Sequence, residues 1–173
     1  MSKRLAAAII TVAFLAPATA SAQDGPVVAS LKGLHDTTKD NITATADIVP
    51  EDLYGFRPTE EVRTMGQILA HVANAQFLFC SAAAGEASPN SENFEETRTT
   101  KAQIIAALNE GFAYCDRVYG NTTDAAGATM RDLFGQQMAA SAVLAFNSAH
   151  NYEHYGNLVT YMRINGIVPP SSR

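Results

Sequence analysis

Apolar residues recur at helical spacing along most of this chain, and four segments carry that pattern. They cover about residues 26–48, 64–85, 100–121 and 138–165. The second and third segments each open with a capping box, formed by Thr64 with Gln67 and by Thr100 with Gln103. The connectors between the segments show no persuasive strand pattern. The sequence therefore predicts an all-α fold built from four helices.

The first residues are predicted to lie outside this fold. A short basic start precedes a twelve-residue apolar stretch, residues 5–16, that is too short to span a bilayer. Small residues then fit a signal-peptidase site ending at Ala22. We predict a signal peptide over residues 1–22, a mature domain over residues 23–173, and an exported protein, periplasmic or secreted. A short N-terminal membrane anchor is the alternative.

Charge and hydropathy narrow the class of partner. The formal net charge is −5, and it becomes −7 once Lys3 and Arg4 are removed with the signal peptide. An acidic chain without a basic cluster argues against nucleic-acid binding. No apolar run after residue 16 approaches the length of a transmembrane helix. We therefore expect no transmembrane segment after cleavage and a small-molecule partner.

The two cysteines predict how the helices are arranged. In an oxidising compartment Cys80 and Cys115 are expected to form a disulfide, with two buried free thiols as the alternative. Cys80 lies 16 residues past Thr64, and Cys115 lies 15 residues past Thr100. In antiparallel helices these heights would differ by roughly 15 Å, whereas a disulfide needs Cα atoms within about 7 Å. A bridge therefore implies an up-down-down-up four-helix bundle with a long crossover between helices 2 and 3.

Three histidines are the candidate chemistry of the chain. His150 and His154 are four residues apart in the fourth segment, so both imidazoles project from one helix face, as in two-ligand metal sites. An exposed polar face is the alternative for this pair. His71 flanks the apolar stripe of the second segment, where a hydrogen-bonded, half-buried histidine is the alternative to a third ligand. Three neutral imidazoles would suit a divalent ion with open coordination positions.

One related motif does not fit. His150-x-x-Glu153-His154 matches the inverted zincin motif, whose peptidases take a third ligand, a carboxylate, from downstream. Residues 155–173 contain no Asp, Glu, His or Cys, so a peptidase site would lack a ligand. The favoured role of Glu153 is that of a solvent-facing residue or a partner in an inter-helix salt bridge.

Neighbouring polar residues are candidates for orienting the ligands. Metal-bound histidines usually donate their second nitrogen to a partner. Asn74 and Asn147 each lie three residues from a candidate ligand, and Tyr155 directly follows one. We predict these three as partners of the ligands, with ordinary helix positions as the alternative. His35, on the apolar side of the first helix, is expected to be a core histidine, with a substrate-side histidine as the alternative.

Two linked blocks resemble the DinB-like superfamily of four-helix metal-binding proteins. The first is Phe56-Arg57-Pro58, then Arg63-Thr64-Met65-Gly66-Gln67 and His71; the second runs over residues 150–163 and closes with residues 165–171. The resemblance covers nearly the whole mature chain. It implies an up-down-down-up bundle, dimers as a common state, and a zinc or nickel site, with iron or manganese as alternatives. Matching the motifs implies His71, His150 and His154 as the ligands.

The resemblance leaves the reaction open. Some such proteins are thiol S-transferases or isomerases that use bacillithiol or mycothiol in the cytoplasm, where an exported chain would not act. We expect a metal-dependent enzyme, hydrolase-like or transferase-like, with an unidentified substrate and no catalytic base assigned. A non-catalytic metal-binding bundle protein of the cell envelope is the alternative.

Overall fold

The computed structural model describes residues 25–173, so the predicted signal peptide lies outside the described residues. In chain order the elements are α1 (Pro26–Ile48), a 3-10 turn (Glu51–Gly55), α2 (Met65–Ala84), α3 (Phe94–Thr97), α4 (Lys101–Asn121), α5 (Asp124–Gly127), β1 (Met130–Leu133), β2 (Gln136–Ala139), α6 (Ala140–Ile164) and a closing 3-10 turn (Pro170–Ser172). The predicted all-α fold is confirmed, with α1, α2, α4 and α6 as the four bundle helices. Within residues 25–173, no helix is both long and apolar enough to cross a bilayer.

The capping boxes determine where the inner helices begin. The hydroxyl of Thr64 accepts the Gln67 N–H, and the Gln67 side chain accepts the Thr64 N–H in return. Thr100 and Gln103 do the same at the start of α4. At the other end of α2, Gly85 has a φ of 73°, the left-handed conformation that favours glycine as a helix stop. These local interactions explain why the predicted bounds of α2 and α4 agree with those observed.

Contacts between α2 and α4 show that the two helices are parallel. Residue numbers rise together along the interface: Gly66 lies against Ile104, Gly111 against Ala73 and Gln76, and Cys80 is joined to Cys115. The cysteine pair is a disulfide with a Cα–Cα distance of 5.4 Å, and both residues are fully buried. The connector between these helices, which includes α3, must therefore return along the length of the bundle.

Helices α1 and α6 run in the direction opposite to that of α2 and α4. Lys101, at the start of α4, donates to the backbone oxygen of Asp47, whereas Asp116, near the end of α4, pairs with Lys39. Against α2, position 150 of α6 lies opposite position 71, and Tyr161 reaches back to the Arg63 carbonyl. The bundle is therefore up-down-down-up.

A chain of buried amides links α2 to α6 in the core. The Gln76 side chain donates to Asn151 Oδ1 at 2.8 Å and accepts from Asn147 Nδ2 at 3.1 Å. All three residues are fully buried. Because buried amides are costly to leave unpaired, these bonds favour a single register of α6 against α2. That register brings His71 level with His150.

The connector before α6 differs from the prediction. It contains a short antiparallel hairpin, in which Leu133 pairs with Gln136 and Met130 with Ala139, and α6 begins at Ala140 rather than near residue 138. The strands have four residues each and no regular alternation of buried and exposed positions. Both turn residues, Phe134 and Gly135, have positive φ, as two-residue hairpins favour. Phenylalanine at such a position carries no turn signal, so the sequence did not indicate the hairpin.

Candidate metal centre

His71 on α2 and His150 and His154 on α6 come together at one face of the bundle. The Nε2 atom of His150 lies 3.1 Å from Nε2 of His71 and 3.0 Å from Nε2 of His154. Nitrogen ligands about 2.0–2.1 Å from one divalent ion are themselves about 3.0–3.4 Å apart. The three histidines are called here the triad. Their Nε2 atoms are thus spaced to hold a single ion.

Hydrogen bonds among the rings cannot satisfy the triad. His71 Nδ1 lies 2.6 Å from a carboxylate oxygen of Glu95 and donates its proton there, so Nε2 of a neutral His71 carries a lone pair. The Nε2 of His150 carries either a proton or a lone pair, so at most one of its two contacts is an ordinary two-centre hydrogen bond. A divalent ion would accept all three lone pairs. The donor set therefore fits a metal better than it fits mutual hydrogen bonding.

Burial keeps two of the rings neutral. Burial first, and then the neighbouring rings, lower the pKa of His150 to about 3 and that of His154 to about 4. Neutral imidazole is the form that binds a metal. Among residues 25–173, no partner bonds the buried Nδ1 atoms of these two histidines, so a protein partner for the second nitrogen is present only at His71.

Glu95 and Arg63 extend the site behind His71. One carboxylate oxygen of Glu95 accepts from His71, and the other accepts from Arg63 Nε at 2.7 Å. Burial alone would raise the pKa of Glu95, but the hydrogen bonds from Arg63 and His71 outweigh it and hold that pKa below its usual value. An ionised carboxylate behind a histidine sets its tautomer and strengthens it as a metal ligand.

Sequence reasoning missed Glu95, and Asn74 explains how it reaches the site. The Asn74 side chain donates to Asn93 Oδ1 at 2.9 Å and accepts the Phe94 N–H at 3.0 Å. Asn93 in turn caps α3 by accepting the Glu95 N–H. Asn74 was predicted to contact a ligand, but it instead holds the segment that carries Glu95. An N-cap followed by acidic residues was visible in the sequence, yet no spacing rule links it to α2.

The structure also corrects the roles predicted for Asn147 and Tyr155. Asn147 points into the core toward Gln76, because a three-residue step along a helix leaves it rotated from the histidine face. The Tyr155 hydroxyl donates to Ser171 Oγ at 2.9 Å and accepts the Ser171 N–H at 3.0 Å. It therefore fastens the C-terminal segment to α6 and has no hydrogen bond to the triad within the described chain.

A cleft of about 500 Å³ opens beside His154. Its polar lining comes from the segment before α2 and from one side of α6: Glu61, Arg63, Glu153, His154, Asn157 and Tyr161. His71 keeps 24% of its side chain exposed. The triad is therefore not fully enclosed, since His154 borders the cleft and His71 is partly exposed, and an open site is what a catalytic metal requires.

Glu153 lines this cleft with an exposed carboxylate. Of the two roles expected for it, the solvent-facing one agrees with the structure. No ion pair joins Glu153 to another residue of the described range, so the inter-helix salt bridge is not present there.

Toward the C-terminal end of α2, the triad borders aromatic side chains. Phe79 lies 5.2 Å from the His150 ring, centroid to centroid, and also contacts Phe146 and Phe134. Phe134, at the hairpin turn, is 68% exposed, and Phe146 is 45% exposed. The site therefore lies between a polar cleft and an apolar surface.

His35 belongs to a separate cluster inside the bundle. It is fully buried, stacks on Tyr119, and bonds Asp116 through Nε2 at 3.0 Å. Its spacing to Asp36 and Asp116 could hold an ion, but the Lys39 ammonium already lies 2.5 Å from Asp116. His35 is thus a core histidine, as expected.

Known proteins share this architecture. The chain is 25% identical over 132 residues to the uncharacterized protein YjoA of Bacillus subtilis (strain 168), covering 75% of this chain and 85% of YjoA. The crystal structure of YjoA gives a TM-score of 0.64 at 20% identity and covers 79% of this chain and 92% of that one. A DinB-like protein from Bacillus cereus ATCC 10987 gives a TM-score of 0.69 at 17% identity and covers 80% and 95%.

A mycothiol-dependent maleylpyruvate isomerase shares the fold as well. Its TM-score is 0.63 at 20% identity, over 78% of this chain and 61% of the isomerase. The family model of the DinB superfamily matches residues 34–158, a range that includes α2, the crossover and all three triad histidines. The chain therefore belongs to the DinB superfamily.

Proposed function

We propose that this protein is an exported, metal-dependent enzyme, hydrolase-like or transferase-like, with a divalent ion held by His71, His150 and His154. The observation that carries the proposal is the convergence of three Nε2 atoms, with contacts of 3.0 and 3.1 Å that hydrogen bonding cannot satisfy together. Zinc or nickel is the favoured ion for three imidazoles, with iron or manganese as alternatives.

When bound, the ion would supply a Lewis acid and could acidify a bound water. The chain itself supplies the positioning. Glu95 holds the Nδ1 proton of His71, and Arg63 holds Glu95 in place. The cleft would admit a small-molecule substrate, and Glu153 lines it with an exposed carboxylate.

Two features support the cellular setting and an enzymatic role. The disulfide between Cys80 and Cys115 fits an oxidising compartment, and so supports export. The fold shared with a mycothiol-dependent maleylpyruvate isomerase shows that this bundle can carry an enzyme, which supports the enzyme hypothesis. We also expect a homodimer, which light scattering on the purified protein would measure.

Metal analysis of the purified mature protein tests the proposal. Wild type should contain a divalent ion in stoichiometric amount, and His71→Ala should lose it. Tyr152→Ala is the matched control, because Tyr152 is exposed on the same helix as two of the ligands. A wild-type protein that binds no divalent ion would overturn the proposal.

Cobalt substitution separates an enzyme from a non-catalytic bundle. In an open site, azide should enter the coordination sphere and change the visible spectrum of the cobalt protein. A spectrum that azide does not change would mean that the ion has no open coordination position and only links α2 to α6.

A further inference from the structure

Among the described residues that line the cleft beside His154, Arg63 carries the positive charge. Its guanidinium is held by one edge, because Nε donates to Glu95 at 2.7 Å while Glu95 also bonds His71. Tyr161 donates to the Arg63 carbonyl at 3.1 Å and fixes its backbone. The guanidinium therefore has a defined position relative to the triad, and 46% of the side chain remains exposed.

The outer edge of this guanidinium is free. In the part of the chain that the structure describes, neither Nη atom of Arg63 bonds another residue. Arg98 provides the contrast, because its Nε and Nη2 atoms both bond Glu92. Arginine presents its donors in a planar fork that matches the two oxygens of an oxyanion. Arg63 thus offers a preformed contact for an anionic group in the cleft.

The carboxylates around the cleft limit the negative charge that such a group can carry. Glu61 and Glu153 line the cleft, and Glu95 already pairs with the Arg63 guanidinium. Each of these carboxylates repels an anion, and a phosphate dianion is repelled about twice as strongly as a carboxylate at the same position. The surroundings therefore favour one negative charge over two.

We propose that Arg63 binds the carboxylate of a singly charged substrate whose reacting group lies at the triad. Asn157 and Tyr161 follow His154 at helical spacing and line the same cleft, so the substrate would extend along this face of α6. The role of the reacting group rests on the proposed metal-dependent function. The carboxylate contact depends on Arg63 and the cleft alone.

Nuclear magnetic resonance titration of the ¹⁵N-labelled mature protein tests this contact, with and without zinc. The probes are propanoate, its neutral analogue propanamide, and inorganic phosphate. Propanoate should shift the amide signals of Arg63, Asn157 and Tyr161 in a saturable manner, and it should bind at least about tenfold more tightly than propanamide. Propanamide binding as tight as propanoate, or tighter binding of phosphate, would overturn the proposal.

Variants assign the contact to Arg63. Arg63→Gln should weaken propanoate binding about tenfold, and Arg63→Lys severalfold, because an ammonium keeps the charge but lacks the fork. Arg117→Gln is the matched control: Arg117 also pairs with a glutamate, Glu86, but does not line this cleft. Wild-type propanoate affinity in Arg63→Gln would overturn the proposal. If that variant fails to fold, wild-type affinity in Arg63→Lys would overturn it instead.

The two proposals fail in different ways. If the wild-type protein binds no zinc but still binds propanoate through Arg63, the carboxylate site is supported and the metal-dependent function is rejected. Stoichiometric zinc with propanoate affinity that does not depend on Arg63 would overturn the carboxylate site alone, because the anion would then be binding the ion directly.

Discussion

The Nδ1 atom of His71 and the carboxylate of Glu95 lie 2.6 Å apart, although the two residues are 24 positions apart in the sequence. The contact joins the middle of α2 to the short helix α3 in the crossover. Parallel α2 and α4 require a connector that returns along the bundle, and that connector passes the face on which His71 lies. The topology that allows the disulfide is therefore also the one that brings a carboxylate to the triad.

Glu95→Gln should weaken zinc binding about 10–100-fold, because His71 would lose its ionised partner while the side-chain shape is kept. Competition with a chromophoric chelator measures the affinity. Glu96→Gln, at the exposed neighbouring position, is the control and should bind zinc like wild type. Equal affinities in the two variants would leave Glu95 without a role at the site.

Reduction of the disulfide should lower the free energy of unfolding by about 2–4 kcal/mol, since Cys80–Cys115 closes a long loop in the unfolded chain. The sequence separation of the pair is 35 residues. Urea unfolding with and without a reductant measures the loss. The double variant Cys80→Ser, Cys115→Ser should not respond to the reductant, and a wild type that does not respond either would contradict the prediction.

Gly111→Ala should lower the free energy of unfolding by about 1–3 kcal/mol, because the added methyl group would overpack the α2–α4 contact. A Cβ at Gly111 would lie 2.8 Å from the Ala73 carbonyl oxygen, a backbone atom that cannot easily move. A Cβ at Gly120 in the same helix would meet no atom of the described residues within 4 Å, so Gly120→Ala should be neutral or stabilising by up to about 1 kcal/mol. Urea unfolding compares the two variants. A Gly111→Ala variant as stable as wild type would show that α2 and α4 move apart there without cost.

Stability should fall as the pH drops below about 6.5, in part because of His35. Burial outweighs the hydrogen bond that His35 donates to Asp116 and lowers the pKa of His35 from 6.5, so the unfolded chain binds a proton more readily than the folded one. The stabilisation is fully present above the unfolded pKa and is lost toward the folded pKa. His150 and His154 act in the same direction, since their pKa values are lowered to about 3 and about 4.

Urea unfolding of metal-free wild type and of the His35→Gln variant, from about pH 7 to pH 5, isolates the His35 contribution, because His150 and His154 contribute alike to both proteins. His35→Gln should show a shallower decline than wild type over this range. Asp116 does not interfere, because its pKa is lowered from 3.8 and its contribution is lost only in more acidic solution. An unchanged slope in the variant would mean that His35 is protonated equally in the folded and unfolded states.

Features that depend on neighbours in the sequence could be predicted. The capping boxes at Thr64 and Thr100 indicated where α2 and α4 begin, because an N-cap interaction spans only three residues. The four-residue spacing of His150 and His154 placed both rings on one helix face for the same reason. The heights of Cys80 and Cys115 indicated parallel helices because helical rise converts residue counts into distances.

Features that depend on contacts between distant segments were decided by the tertiary structure. Asn147 faces the core and Asn74 holds α3, although both lie one helical turn from a triad histidine. Helical spacing predicts on which face of a helix a residue lies, but the packing of α2 against α6 decides which groups that face contacts. The sequence by itself determined the helices and the three histidines. The crossover path decided that Glu95 joins them and pairs with Arg63, because no interaction between sequence neighbours connects Glu95 to α2.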